Sequence, residues 1–281
     1  MARITISGID IDYELLGKAG APAIAITPGG RFSKNSSGVR ELGEALASGG
    51  KRALVWDRPN CGASDISFDG ETESVLGARV LTKLIRALDL GPTVIAGGSA
   101  GSRVSLIAAS RDPEICSHLC IWWISGGPLS LLSLAYYYCV DQALAANKGG
   151  MEAVAQLPAW AEQIKRNPKN RDILLAQNPE QYVQTMERWA MAYMPSPISP
   201  VPGMSPEDFA QLRMPTLVYR SGKSDLSHTR KTSEWVHRLI PQSKLIEPPW
   251  ADDEWNHRSG TPDLFASWPK LAPQILDFTA R

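Results

Sequence analysis

Val94-Ile95-Ala96-Gly97-Gly98-Ser99-Ala100-Gly101-Ser102 decides how this chain is read. Thr93 to Ala96 predicts a short core strand, Gly97 to Gly101 a tight turn, and Ser102 to Ala109 a helix that stops near Asp112-Pro113. A serine at the apex of a sharp strand-to-helix turn is forced into a strained backbone conformation. Small residues must therefore flank it where the turn packs against its neighbours. Gly97 and Gly101 meet that need. The helix that begins there aims its free backbone N–H groups at the serine oxygen and at any anion forming beside it. A bare G-x-S-x-G is also what a glycine-rich turn or a phosphate cradle at a strand end looks like. Strand, turn and helix together make Ser99 a candidate nucleophile.

Working outward, short β-type runs alternate with longer helical patterns towards both ends, the pattern of an α/β sheet with helices on both faces. Ile4 to Ile6 and Ile11 to Leu15 predict a hairpin turning at Gly8-Ile9-Asp10. Ala23 to Ile26, Ala53 to Trp56 and Leu119 to Ile124 predict core strands, with helices over Val39 to Ala47 and Thr72 to Leu88. From Gly126 to about Arg213 the alternation stops. That segment reads as helices over Leu129 to Ala145, Met151 to Lys165, Asp172 to Ala176 and Glu180 to Tyr193. The sheet resumes with Thr216 to Tyr219, a helix over Arg230 to Leu239, the strand Lys244 to Ile246 and a closing helix over Leu271 to Ala280. A chain of 281 residues sits near the limit of one hydrophobic core, which favours a core of 1–125 and 214–281 with a helical lid inserted at 126–213.

Composition narrows the partners. Lys and Arg number 29 against 29 Asp and Glu, so there is no basic field for sequence-independent phosphate attraction, and nucleic acid is set aside. No run of about 18 apolar residues spans a bilayer. The N-terminal stretch lacks the pattern of a cleaved leader, so a cytoplasmic protein is expected, with no membrane partner. Cys61, Cys116, Cys120 and Cys139 form no CxxC pair and have no histidine at metal spacing, so neither a disulfide framework nor a metal is expected. No cofactor is called for; the expected partner is a small-molecule substrate, and a homodimer is left open.

Several spaced features together resemble the α/β-hydrolase superfamily, over nearly the whole chain apart from the lid. Beyond the serine turn, Asp57-Arg58-Pro59-Asn60-Cys61-Gly62-Ala63-Ser64 is similar to the family's D-R-P-G-x-G-x-S loop, with Asn60 where the first glycine usually stands. Ile26-Thr27-Pro28-Gly29-Gly30 stands where the family usually has His-Gly and one oxyanion donor. Proline has no N–H, so the donor is expected from Gly29, Gly30 or Arg31, paired with the backbone N–H of Ala100. The resemblance implies a mostly parallel eight-stranded sheet with helices on both faces and an inserted helical lid.

A serine hydroxyl needs a base beside it and a third group to orient that base. The resemblance places the acid beyond the seventh strand, at Asp225, although Asp near a helix start is also favoured as an N-terminal cap. It places the base after the last strand, at His257, giving the family order Ser99, Asp225, His257. Among the other histidines, His118 precedes the Leu119 strand, His237 sits inside a helix, and His228 reads as a cap or supporting group. The alternative of an acid at the end of the sixth strand is disfavoured, because Trp122-Trp123-Ile124-Ser125-Gly126 carries no carboxylate.

Aromatic residues concentrate in and just before the lid. Trp123, Tyr137, Trp160 and Trp189 are expected to line a pocket for a small hydrophobic or aromatic substrate, though core packing is the commoner use of such side chains. Arg31 and Arg103 are candidate partners for a substrate carboxylate, with structural ion pairs as the alternative. The leading expectation is a serine hydrolase of an ester, lactone or related acyl bond. A carbon–carbon bond hydrolase of a diketone-like aromatic degradation product, a cofactor-free lyase and a non-catalytic ligand-binding protein remain alternatives on the same fold.

Overall fold

The computed structural model describes residues 2–280. Eight strands, β1 Ala2–Ile6, β2 Ile9–Leu16, β3 Ala23–Thr27, β4 Arg52–Trp56, β5 Thr93–Gly98, β6 Cys116–Trp122, β7 Thr216–Tyr219 and β8 Lys244–Ile246, form one sheet in the order β1-β2-β4-β3-β5-β6-β7-β8. β2 runs antiparallel to β1 and β4, and every pairing from β4 through β8 is parallel. The first hairpin closes where expected, with Ser7 and Gly8 at positive φ.

Alternation along the buried strands sorts side chains to two faces. Ala25, Leu54, Trp56 and Ile95 meet α2 Glu73–Ala87 and α3 Ala100–Arg111 on one face. Ile24, Ile26, Val55 and Ala96 meet α1 Val39–Ser48 on the other, where the C-terminal helix Ala272–Phe278 also packs. α2 starts where Thr72 accepts the Val75 backbone N–H at 3.1 Å.

Between β6 and β7 the chain is helical: α4 Pro128–Ala135, α5 Asp141–Ala155, α6 Pro158–Arg166, α7 Lys169–Leu175, α8 Pro179–Met191 and α9 Pro206–Ala210. α4 runs into α5 through a π-helical turn over Tyr136–Val140. The break expected after Ala145 comes at Gly149 and Gly150, whose φ values of −144° and 66° leave the helix. The expected helix Met151 to Lys165 is cut at Pro158, which lacks the N–H an interior position needs and instead opens α6. Among the described residues no helix is long and apolar enough to cross a membrane.

β6 also ends earlier than expected. Trp123 has φ 47°, so the strand leaves the ladder at Trp122 and turns the following residues towards the carboxyl edge of the sheet. That edge, at the centre of the strand order, is where α/β sheets place ligands. Two later helices complete the frame, α10 Arg230–Leu239, as expected, and the short α11 Glu254–Arg258.

Candidate active site

Ser99 caps α3 at φ 56° and ψ −120°, a conformation that costs a non-glycine residue about 1–3 kcal/mol. The flanking glycines are required by space. A Cβ on Gly97 would lie 2.5 Å from the Gly101 carbonyl oxygen, one on Gly98 2.2 Å from Trp122 Nε1, and one on Gly101 2.0 Å from the Thr27 carbonyl oxygen. The Ser99 N–H donates to the Trp122 carbonyl at 3.2 Å, tying the turn to the end of β6. Ala100 opens the helix behind the serine. Gly29 lies directly against it, since a Cβ there would come within 2.9 Å of Ser99 Cβ. Gly30, at φ 48°, lines the cleft, and its carbonyl accepts from Arg58 Nη2.

The partner of Ser99 is His228. Its Nε2 lies 2.9 Å from Ser99 Oγ, and its Nδ1 lies 3.0 Å from Asp225 Oδ2. With the Nδ1–H given to the carboxylate, Nε2 is left to accept the serine proton. Asp225 Oδ1 accepts the backbone N–H groups of Ser227 and His228, both at 2.8 Å, so the carboxylate folds the turn that carries the imidazole. The ring is enclosed by indoles: Trp123 stacks on it at 5.9 Å and 16°, and Trp255 meets it edge-on at 4.3 Å.

This corrects the assignment of His257. That residue is exposed on α11, where its backbone N–H donates to Asp253 at 2.9 Å. The reason is helical phase. Trp255 takes the inward face of α11, and a residue two positions further on points to the other side. Asp225 follows β7, as expected, but its ring partner is His228 rather than His257. His228 had been read as a supporting group, and the signal for its placement was local: an aspartate three residues ahead of a histidine in a turn leaves one carboxylate oxygen for the ring.

A cleft of about 400 Å³ opens above Ser99 and His228, walled by Phe32, Leu134, Tyr137, Tyr138, Leu264 and Phe265. Of the aromatic residues expected there, Tyr137 lines it. Trp160 and Trp189 are fully buried, and each indole N–H finds an acceptor at 3.0 Å: Gln142 Oε1 within the helical insertion for Trp160, and the Gly70 carbonyl, in the loop before α2, for Trp189. Trp123 lies beneath the imidazole rather than on the cleft wall. Tyr138 also reaches the cleft, beside Tyr137, because the π-helical turn brings consecutive residues to one wall.

Arg31 does not line the cleft either. It is paired with Glu73 through Nε at 3.1 Å and Nη2 at 2.9 Å, and Trp160 covers it at 4.3 Å. Burial works against its charge, but Glu73 outweighs burial and holds its proton more tightly than usual.

Asn60 shows why the D-R-P loop tolerates a change at a glycine position. Its φ is 70°, a left-handed conformation that asparagine adopts more readily than other side chains. Its amide also ties the loop together, donating to the Ser67 carbonyl at 3.1 Å and accepting the Ser67 N–H at 2.8 Å. Asn60→Ala is expected to cost about 1–3 kcal/mol in chemical denaturation, from left-handed strain plus two lost hydrogen bonds. An unchanged unfolding midpoint would contradict this account of the loop.

Residues 24–122 match a family model described as the α/β hydrolase fold. The chain has the α/β-hydrolase fold. Solved structures with this fold extend the likeness over all of it. An enol-lactonase from Burkholderia xenovorans is 17% identical at a TM-score of 0.60, with 100% of both chains covered. A thermophilic esterase from Thermogutta terrifontis and a hydrolase from Pseudomonas aeruginosa are each 19% identical at a TM-score of 0.61, with 100% of this chain and 98% of theirs covered. Ser99 stands at the apex of the strand-to-helix turn after β5.

Proposed function

We propose that this chain is a serine hydrolase that cleaves an ester or lactone of a small, largely apolar substrate. The observation that carries the reading is the line from Ser99 Oγ through His228, at 2.9 Å, to Asp225, at 3.0 Å. His228 takes the serine proton as the hydroxyl attacks the acyl carbon, then returns it to the leaving oxygen. Asp225 holds the ring in the required tautomer and offsets the imidazolium charge. The N–H of Ala100 and the Gly29-Gly30 turn hold the oxyanion. Water, activated by the same imidazole, then releases the acyl group. The helical insertion serves as a lid, with α4 and the π-helical turn forming one wall of the cleft. Supporting an acyl substrate, two proteins of similar fold are described as an enol-lactonase and an esterase.

The test is covalent labelling. A fluorophosphonate is expected to add its phosphonyl mass to the peptide carrying Ser99, and to leave Ser99→Ala unlabelled. Unchanged labelling of that variant, or none of the unaltered protein, would overturn the reading.

A further inference from the structure

Three guanidinium groups lie buried together where the sheet meets the helical insertion. Arg31, Arg58 and Arg103 are 5%, 4% and 1% exposed. One carboxylate answers them, Glu73, and it is taken up by Arg31. Arg58 gives Nη2 to the Gly30 carbonyl, and its Nε has no partner. Arg103 gives Nη1 to Ser125 Oγ at 2.8 Å and reaches Ser74 Oγ and Tyr193 Oη only at 3.4 and 3.5 Å. Among the described residues, no ion pair reaches Arg58 or Arg103, and Arg31 Nη1 is a buried donor without an acceptor.

Among the described residues, the neighbouring ionisable groups do not supply the missing negative charge. Burial pushes the Cys61 thiol up to about 11 and the Tyr193 hydroxyl up to about 12, and Tyr138 is pushed up further, so all three are neutral near pH 7. Ring faces offset part of the cost: Arg31 sits 5.2 Å from the Tyr138 centroid, and Arg103 sits 5.8 and 5.5 Å from Tyr138 and Tyr193. They do not replace a counter-ion for buried charge.

The surplus stands one layer behind the cleft. Gly30, Ser125 and Tyr138, which the arginines hold or stack upon, all line the cavity that contains Ser99. Ser125 is the point of contact. Its oxygen already accepts from Arg103, which leaves the hydroxyl hydrogen, polarised by the guanidinium, to be donated onwards.

We propose that the cleft takes an acyl substrate bearing a carboxylate, which accepts from Ser125 and lies against Gly30 and Tyr138 in the field of Arg31, Arg58 and Arg103. The acyl part rests on Ser99 being the nucleophile; the anion part does not.

The test compares the mono-4-nitrophenyl ester of glutaric acid with its neutral primary-amide isostere. The expected kcat/KM ratio favours the anion by about tenfold or more. The ratio falls towards one in Ser125→Ala and in Arg103→Gln. A purely structural role would lower both esters together and leave the ratio standing. A ratio near one in the unaltered protein, or a ratio unchanged in Ser125→Ala, overturns the proposal. Calorimetry on Ser99→Ala separates the two readings, with glutarate expected to bind about tenfold or more tightly than glutaramate. Preferential glutarate binding without turnover of either ester retains the anion site and removes the acyl-transfer reading. Equal turnover of both esters does the reverse.

Discussion

His228→Ala is expected to lower kcat/KM for an activated ester by about 10⁴-fold or more, while His257→Ala stays within about twofold of the unaltered protein. The contrast follows from placement. The ring of His228 lies 2.9 Å from the serine oxygen, and its removal takes away the imidazole placed to receive the serine proton in the proposed reaction. His257 is exposed on α11, whose inward face belongs to Trp255. Steady-state kinetics on the two variants decides the matter. Activity lost with His257 and retained without His228 would mean that α11 turns over during the reaction, and the arrangement described above would not be the working one.

Asp225→Asn is expected to be nearly as damaging, about 10³–10⁴-fold in kcat/KM, with little change in the unfolding midpoint. Asparagine keeps a carbonyl oxygen for the N–H groups of Ser227 and His228, so the turn survives. The amide, however, presents a donor where the imidazole also presents one. The ring proton then shifts to Nε2 and confronts the serine hydroxyl in the wrong tautomer. Asp225→Ala removes both the turn bonds and the ring partner, and should lower stability as well as turnover. Equal loss of stability in the two variants would show that the carboxylate acts on the fold rather than on the ring.

The elbow was legible in the sequence because its constraint is local. Close backbone approaches at Gly97, Gly98 and Gly101 are written directly as glycines around Ser99. The strands on either side were legible for the same reason, as apolar runs too short for helices. The imidazole beside Ser99 was not, because the resemblance assigns it by position after the last strand, whereas the placement of His228 depends on an aspartate folding its own turn. The aromatic residues of the helical insertion differ. Helical periodicity gives a face but not its partner, and the acceptors that bury Trp160 and Trp189 lie 18 and 119 residues away in sequence. Arg31 likewise depended on a carboxylate 42 residues distant.

On the proposed reading, acid and base are both carried by the four residues from Asp225 to His228, which makes the proton relay a single cassette between β7 and α10. On that reading the stretch after β8 has no part in proton transfer and shapes the cleft through Trp255, Ser259 and Gly260. Grafting that stretch is then expected to reshape one side of the cleft while leaving the relay intact, provided an aromatic ring is kept at position 255 to back the imidazole.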